Sequence, residues 1–563
     1  LTISATDITS DVIYANGDLD ISSDNLANSG VINSENNLSI TSGTIDNQGQ
    51  LISNNALTIS ATDISSNIIY ANGNIDISSD NLTNNNIIQS ETMLNIAASN
   101  ISNSGIALAN AALNIISDSL TNTGSILALG DSKIDAGEVD NDSGKILLSG
   151  SENNIRTSVF KNTNTKASEA DILDLEKGLI VTGNLSGDIG ELNNESGNIY
   201  INGTANLGAL NNDNGFVHLA SGAIGEVDQI LHNENGEIEI GNDGYVQIRA
   251  SGIEGAGGVM GGYGSLSILS GASELALAGD ISVGGLFSIS HYLAGSEGLA
   301  PDASFLSVIN GGNLYGAEGM YISANNLTNN GSLISGADIG LDMSGDITNT
   351  GGIYVGNSLY SESDKFTNQG EIISGGDMII AAASGLDNSQ SVEDSQAISG
   401  PEKRIVAGGD FVYEGKILNN SRGELLAYGE TYVKNLQNEE GYFYSGAGGV
   451  VDNIDIKYED VGSFRENGSV KSEYFDIIKY YETGGEYGEP NRDPGGEWED
   501  GALAWYGDGM IYNRGGVIES GAGMLTLQGR DVDYNDDGKI IGNGGVSLEI
   551  DGNGHTVEGD ISV

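Results

Sequence analysis

Short runs of alternating apolar and polar residues recur along the chain, separated by polar corners rich in Asn, Ser and Gly. Alternation over three to five residues predicts β-strands, and no stretch sustains the 3.6-residue period of a helix. The runs return at a fixed interval. LTISATDITSDVIYANGDLDISSDNL, from Leu1 to Leu26, comes back as LTISATDISSNIIYANGNIDISSDNL from Leu57 to Leu82, with 5 changes. Leu1, Leu19, Leu38, Leu57, Ile75, Leu94 and Leu113 open units spaced 18, 19, 19, 18, 19 and 19 residues apart. In the unit Leu94–Ala112, Leu94 and Ile96 point one way and Asn95 the other. Ile101 follows, then the corner Asn103-Ser104-Gly105, then Ile106 and Leu108. Three strands this short cannot bury a face alone, but stacked coil on coil they enclose a continuous apolar column. The pattern predicts an all-β right-handed parallel β-helix, a solenoid with hairpin or loop excursions. About 27 coils at roughly 4.8 Å each would make a rod of order 130 Å.

A second column supports this register. The motif apolar-x-Asn-x-Gly places Asn28, Asn47, Asn84, Asn103, Asn122 and Asn141 at one corner, and it returns at Asn194, Asn212, Asn233, Asn329, Asn349, Asn368, Asn388, Asn420, Asn438, Asn513 and Asn535. Asn stacked on Asn can pass an amide hydrogen bond from coil to coil, and both Asn and the nearby Gly tolerate left-handed backbone.

Interruptions of the repeat divide the chain. Residues 1–150 read as the regular stack. Residues 151–320 read as a variant β-helix: 151–180 lose the phase, with Ala167–Lys177 either a short helix or an irregular loop, and 181–320 change chemistry. LNNESGNIYI, LNNDNGFVHL and LHNENGEIEI give way there to Gly-rich GAGGVMGGYG and GDISVGGLFSISHYL. Tyr263, Phe287, His291, Tyr292 and Phe305 place aromatic rings where charge is sparse. They read either as a surface for a partner or as variation in the core. Regular coils return over 321–450, and 510–563 close the chain. Between them, 451–509 form a Tyr-rich break containing Tyr480, Tyr481 and both Trp residues, Trp498 and Trp505. It reads as a hairpin-like excursion whose aromatics dock on the shaft or face a partner. All four prolines fall at interruptions, as ladders that need every N–H require.

Composition narrows the function. In 563 residues there are 79 Asp+Glu against 21 Lys+Arg, a formal net charge of −58, and the first cation is Lys133. Nucleic acid and anionic membrane surfaces call for the opposite sign. Zero cysteines exclude disulfides, thiolate metal sites and a Cys nucleophile. The four histidines show no metal spacing. Asp533-x-Asn535-x-Asp537-Gly538 matches half a calcium loop, but position twelve is Gly544. No phosphate loop or nucleophile elbow is formed. The chain therefore reads as a non-enzyme without cofactor or metal; a polysaccharide-active β-helix is the remote alternative. A start at Leu1 in repeat phase suggests a piece of a longer polypeptide.

The coils NLTNNGSLISGAD, DITNTGGIYVGN and KFTNQGEIISGGDMII resemble the haemagglutinin repeats of filamentous haemagglutinin and of CdiA-type contact-dependent growth inhibition proteins, two-partner secretion exoproteins of Gram-negative bacteria. EKRIVAGGDFVYEGKILNNSRGELLAYGE, from Glu402 to Glu430, is similar to the R-I-x-A-G-G-D coil that precedes a Tyr/Pro-rich segment in the CdiA type. This resemblance implies a secreted cell-surface stalk exported through an outer-membrane transporter. Its order of regions implies that the receptor-binding candidate lies within 151–400, chiefly 181–320 and so in the variant stretch 151–320, and that 451–509 resembles the Tyr/Pro region. It also implies toxin delivery, with an outer-membrane protein or surface glycan of a neighbouring cell as partner; a filamentous adhesin for host or biofilm surfaces is the alternative. The expected state is a monomer that binds neither nucleic acid nor a small-molecule substrate.

Overall fold

Leu and Ile recur in register because each occupies the same inward position of successive coils. Leu38, Leu57, Ile75, Leu94 and Leu113 pair one with the next, as do Ile40, Ile59, Ile77, Ile96 and Ile115. A third column runs through Ile45, Ile64, Leu82, Ile101 and Leu120. A fourth runs through Ile32, Leu51, Ile69, Ile88, Ala107 and Ile126. All of these side chains are buried. At roughly 1.5–3 kcal/mol for each large apolar side chain, these columns are the main stabilising term.

The computed structural model describes all residues except 166–175, 221–223, 228–229, 242–244, 251, 255–257, 271–272, 292–305, 391–402, 454–464, 467–468, 471–509, 530, 534–537, 551–559 and 563. Among the described residues there is no helix, and the fold is a parallel β-solenoid of about 22 turns. That is fewer than the 27 expected from the period alone, because later coils are longer. Successive corner asparagines lie 19 residues apart in the first coils, but Asn162 and Asn194 are 32 apart, Asn388 and Asn420 are 32 apart, and Asn438 and Asn513 are 75 apart. Among the described residues the coil-to-coil pairings are parallel, and the one antiparallel pair joins Arg465–Glu466 to Ser469–Val470. The coils fall into two compact units, Leu1–Leu269 with Ala278–Leu286, and Ser270–Leu277 with Phe287–Val563.

In the first unit each coil has three paired segments, continuous in strands such as Leu19–Ser34, and these stack into three faces, the three sheets of the solenoid. In the sixth coil these begin at Leu94, Asn100 and Ile106. The phase expected to fail after residue 150 is kept through Lys161, since Glu152–Lys161 continues the ladder beneath Ser132–Asp140. The helix-or-loop segment Ala167–Lys177 falls mainly outside the described residues, as do all four prolines and most of the 451–509 break. Tyr442–Ser445 pairs directly with Val517–Ser520, so residues 454–509 interpose between two adjacent rungs.

Glycine fixes how closely the corners approach. A Cβ on Gly124 would lie 2.1 Å from the carbonyl oxygen of Gly105 in the preceding coil. Gly124→Ala is expected to cost about 1–3 kcal/mol through backbone displacement, seen as a lower urea midpoint of β-sheet circular dichroism.

Candidate functional site

The corner ladder is the most ordered polar feature. Asn84, Asn103, Asn122, Asn141, Asn162, Asn194 and Asn212 each pass Nδ2–H to the next Oδ1 at 2.6–2.8 Å, the run ending at Asn233. In the second unit Asn310, Asn329, Asn349, Asn368, Asn388, Asn420, Asn438 and Asn513 do the same at 2.7–3.0 Å. Most of these amides also hold the first carbonyl of a following third-sheet strand, as Asn103 holds Ser125 O at 3.0 Å. Burial without water makes each pairing obligatory. Asn28 reaches Asn47, but Asn47 then donates to Ser66 Oγ at 2.9 Å, so one rung is serine. Asn162 and Asn310 are members that the motif reading missed. Asn535 lies outside the described residues.

The expected contact residues separate on inspection. Tyr263 is 73% exposed. Phe287 and His291 are corrected: strand alternation turns both inward, Phe287 fully buried and His291 5% exposed. His291 Nδ1 has no hydrogen-bond partner. Tyr292, Phe305, Tyr480, Tyr481, Trp498 and Trp505 lie outside the described residues, as does most of the half calcium loop.

What sequence reading missed is the outward face of the third sheet. Ile106 and Leu108 look outward, while Ala107 and Ala109 fill the core. Toward residue 240 this face becomes aromatic and ionisable. Tyr200, His218 and Glu239 follow one another in register. The rings of Tyr200 and His218 stack at 5.1 Å and 5°, and His218 Nδ1 lies 2.7 Å from Glu239 Oε2. The Asn+2 signal, a residue that must turn left-handed, marks the adjoining corner: Ser196, Asn214 and Asn235 have φ of 53°, 55° and 51°.

In the second unit a shallow groove of about 490 Å³ crosses several coils, with Arg422, Glu424, Glu440 and Tyr442 among its lining. Arg422 Nε meets Glu440 Oε2 at 2.6 Å, and both hold left-handed backbone, at φ 58° and 54°. Close by, Arg404 Nε lies 2.5 Å from Glu371 Oε1, which shares its carboxylate with the Tyr354 hydroxyl at 2.9 Å. Burial, then the hydrogen bond to Glu519 at 3.0 Å, pushes the Tyr442 phenol up to about 12. A raised phenol pKa contributes stability below its ordinary value near 10, lost as pH rises toward about 12. Glu519→Gln is expected to bring the Tyr442 phenolate transition down, read by ultraviolet titration against Tyr442→Phe. Among the described residues no group of three or more His, Asp or Glu side chains is placed to hold a metal ion.

A filled solenoid of stacked coils with outward faces and shallow grooves defines a stalk-like repeat protein. The sequence model of the haemagglutinin repeat matches residues 12–86, 49–118, 98–177, 391–437 and 503–553, just under half of the chain. These matches support a filamentous-haemagglutinin-like protein and an adhesin-like stalk. Proteins with this repeat are typically secreted surface proteins without enzymatic activity. No curated protein and no solved structure matches the chain.

Proposed function

We propose that the chain is the stalk of a secreted exoprotein on a Gram-negative cell, which carries a receptor-binding region to a neighbouring cell and serves contact-dependent toxin delivery. Its receptor is an outer-membrane protein or surface glycan of that neighbour. The observation that carries this reading is the change of surface within 181–320. There the outward column turns to Tyr200, His218 and Glu239, and Tyr263 stands 73% exposed. Aromatic rings with satisfied polar neighbours are the residues that supply binding energy at interfaces. A chain at −58 has to bind through such local contacts rather than long-range attraction to acidic envelopes.

The repeat matches equally support an adhesin for host or biofilm surfaces, the second reading. The test is binding to whole bacteria with residues 181–320 exchanged for regular coils. Loss of binding, with β-sheet circular dichroism retained, is the expected result; unchanged binding overturns the assignment to 181–320. Binding to abiotic or host matrix alone, with none to bacteria, favours the adhesin.

A further inference from the structure

In the first eight coils of the first unit, the third sheet presents two outward columns. One runs Val12, Val31, Gln50, Ile68, Ile87, Ile106, Ser125 and Lys145. The other runs Tyr14, Asn33, Ile52, Tyr70, Gln89, Leu108, Leu127 and Leu147. Most of these sixteen positions are apolar and none is a carboxylate, in a chain with 79 Asp+Glu. One outward column of each of the other two sheets is polar over the second to sixth coils: Asp20, Ser39, Thr58, Asp76 and Asn95 on one, Asn25, Thr44, Asp63, Asn81 and Asn100 on the other. In the second unit the corresponding strands set charged Glu371, Arg404 and Glu424 beside the apolar positions, and the double apolar column is absent there among the described residues.

The columns are half-buried, with Ile106 39% exposed within the stack and Val12 and Tyr14 of the first coil 74% and 52%. Eight coils at about 4.8 Å and a four-residue strand at about 3.3 Å per residue make a face of roughly 34 by 13 Å. At about 440 Å² it is of the size of the largest apolar patch on a soluble surface, a patch that is often functional. One border is acidic, at Asp18, Glu35, Glu91 and Asp131; the other carries Asp11 and Asp142 at its two ends with neutral corners between, and Lys145 is the one cation in its columns. A face of this outline accepts one α-helix, which is about 10–12 Å wide and spans about 34 Å in some 22 residues. The acidic border calls for cations along one flank of that helix, and two copies of this chain would set like charges against each other.

We infer that this face of residues 12–147 docks a cationic amphipathic helix of a partner protein, its apolar stripe on the Val/Ile/Leu/Tyr columns and its Lys and Arg side chains on the carboxylates at the corners. The inference is independent of the role proposed for 181–320.

The test uses the full chain and a synthetic 22-residue helix with leucine on one face and lysine on the other. Oligolysine of equal charge and a scrambled peptide of equal composition serve as controls. The helix is expected to bind the native chain and to lose at least about 30-fold in affinity, about 2 kcal/mol, on Ile52→Thr/Ile68→Thr/Ile106→Thr/Leu108→Thr. These outward positions tolerate threonine without opening the core. Ile116→Thr, outward on the first sheet and 47% exposed, should leave affinity unchanged. Asp18→Lys/Asp131→Lys, whose carboxylates bond only to corner groups, should weaken binding without touching a column residue, and it decides the matter if the quadruple variant fails to fold. Exchange of 181–320 should leave helix binding intact, which separates this result from the receptor assignment. Equal affinity for oligolysine or the scrambled peptide, or no effect of the corner reversals, overturns the inference. So does a native dimer in sedimentation that the quadruple variant abolishes, which would assign the face to a second copy.

Discussion

Asn103→Ala is expected to remove about 3 kcal/mol of stability, far more than the loss of one surface amide. The Asn103 Nδ2 group donates to Asn122 Oδ1 at 2.6 Å, to Ser125 O at 3.0 Å and to Gly105 O at 3.2 Å. Its Oδ1 accepts from Asn84 Nδ2 at 2.6 Å. Alanine leaves Asn84 with a buried donor and Asn122 with a buried acceptor, each unpaired where water has no access. A buried group left without its partner costs about 1–3 kcal/mol. Asn103→Ser should cost less, because Ser66 already holds one rung by accepting from Asn47. Urea unfolding followed by β-sheet circular dichroism measures the loss. Hydrogen exchange at Ser125 and its strand should rise first, since the amide pins that strand's opening carbonyl. An Asn103→Ala midpoint equal to the native one would mean that the ladder is incidental to the stack.

Leu51→Asp and Ile52→Asp form the second and larger contrast. The two residues are neighbours in one strand, yet Leu51 is fully buried and Ile52 faces outward. A carboxylate at Leu51 enters a column of Ile32, Ile69 and Ile88 with no cation to meet it. The expected cost exceeds about 4 kcal/mol, enough to unravel neighbouring coils, because an unpaired charge and a packing defect coincide. Ile52→Asp should cost about 1 kcal/mol or less in stability. It should nevertheless weaken the cationic-helix probe less than tyrosine or leucine loss would suggest, since it adds charge of the favoured sign. Equal destabilisation by the two substitutions would require a register one residue away from the one described, which moves every side chain to the opposite face.

Much of this architecture is legible in the sequence because period and chemistry repeat together. The Leu/Ile columns announce themselves at 18–19 residues, and the Asn corner is visible wherever Gly follows two places later. Asn310, in Val308-Ile309-Asn310-Gly311-Gly312, carries the full motif and was open to detection. Asn162 hides because its corner has no Gly at all: Asn164, at φ 54°, stands two places on, and Thr165 stands where other such corners, as after Asn212, have Gly. Ser66 hides because a hydroxyl replaces the amide, although the gap between Asn47 and Asn84 marks a missing rung. The facing of the third strand is less legible. In Ile106-Ala107-Leu108-Ala109 the larger residues suggest the core, but the sharp corner after Asn103 reverses the phase and gives the interior to alanine. Hydrophobicity cannot distinguish an inward column from an outward one when both are apolar. The same difficulty attends Phe287 and His291, whose ring chemistry suggested contact and whose alternation with Leu286 and Ser288 dictated burial.

The 75-residue step from Asn438 to Asn513 closes with a 3.0 Å hydrogen bond, much like the 19-residue steps before it. Lengthening a loop from one coil to four adds only about 1–2 kcal/mol of closure entropy, because the penalty grows with the logarithm of length. The scaffold is thus indifferent to how much polypeptide is threaded between two rungs. New modules can be acquired or discarded at a corner while the lining on either side stays as it was, which lets such a chain diversify what it displays faster than what holds it up.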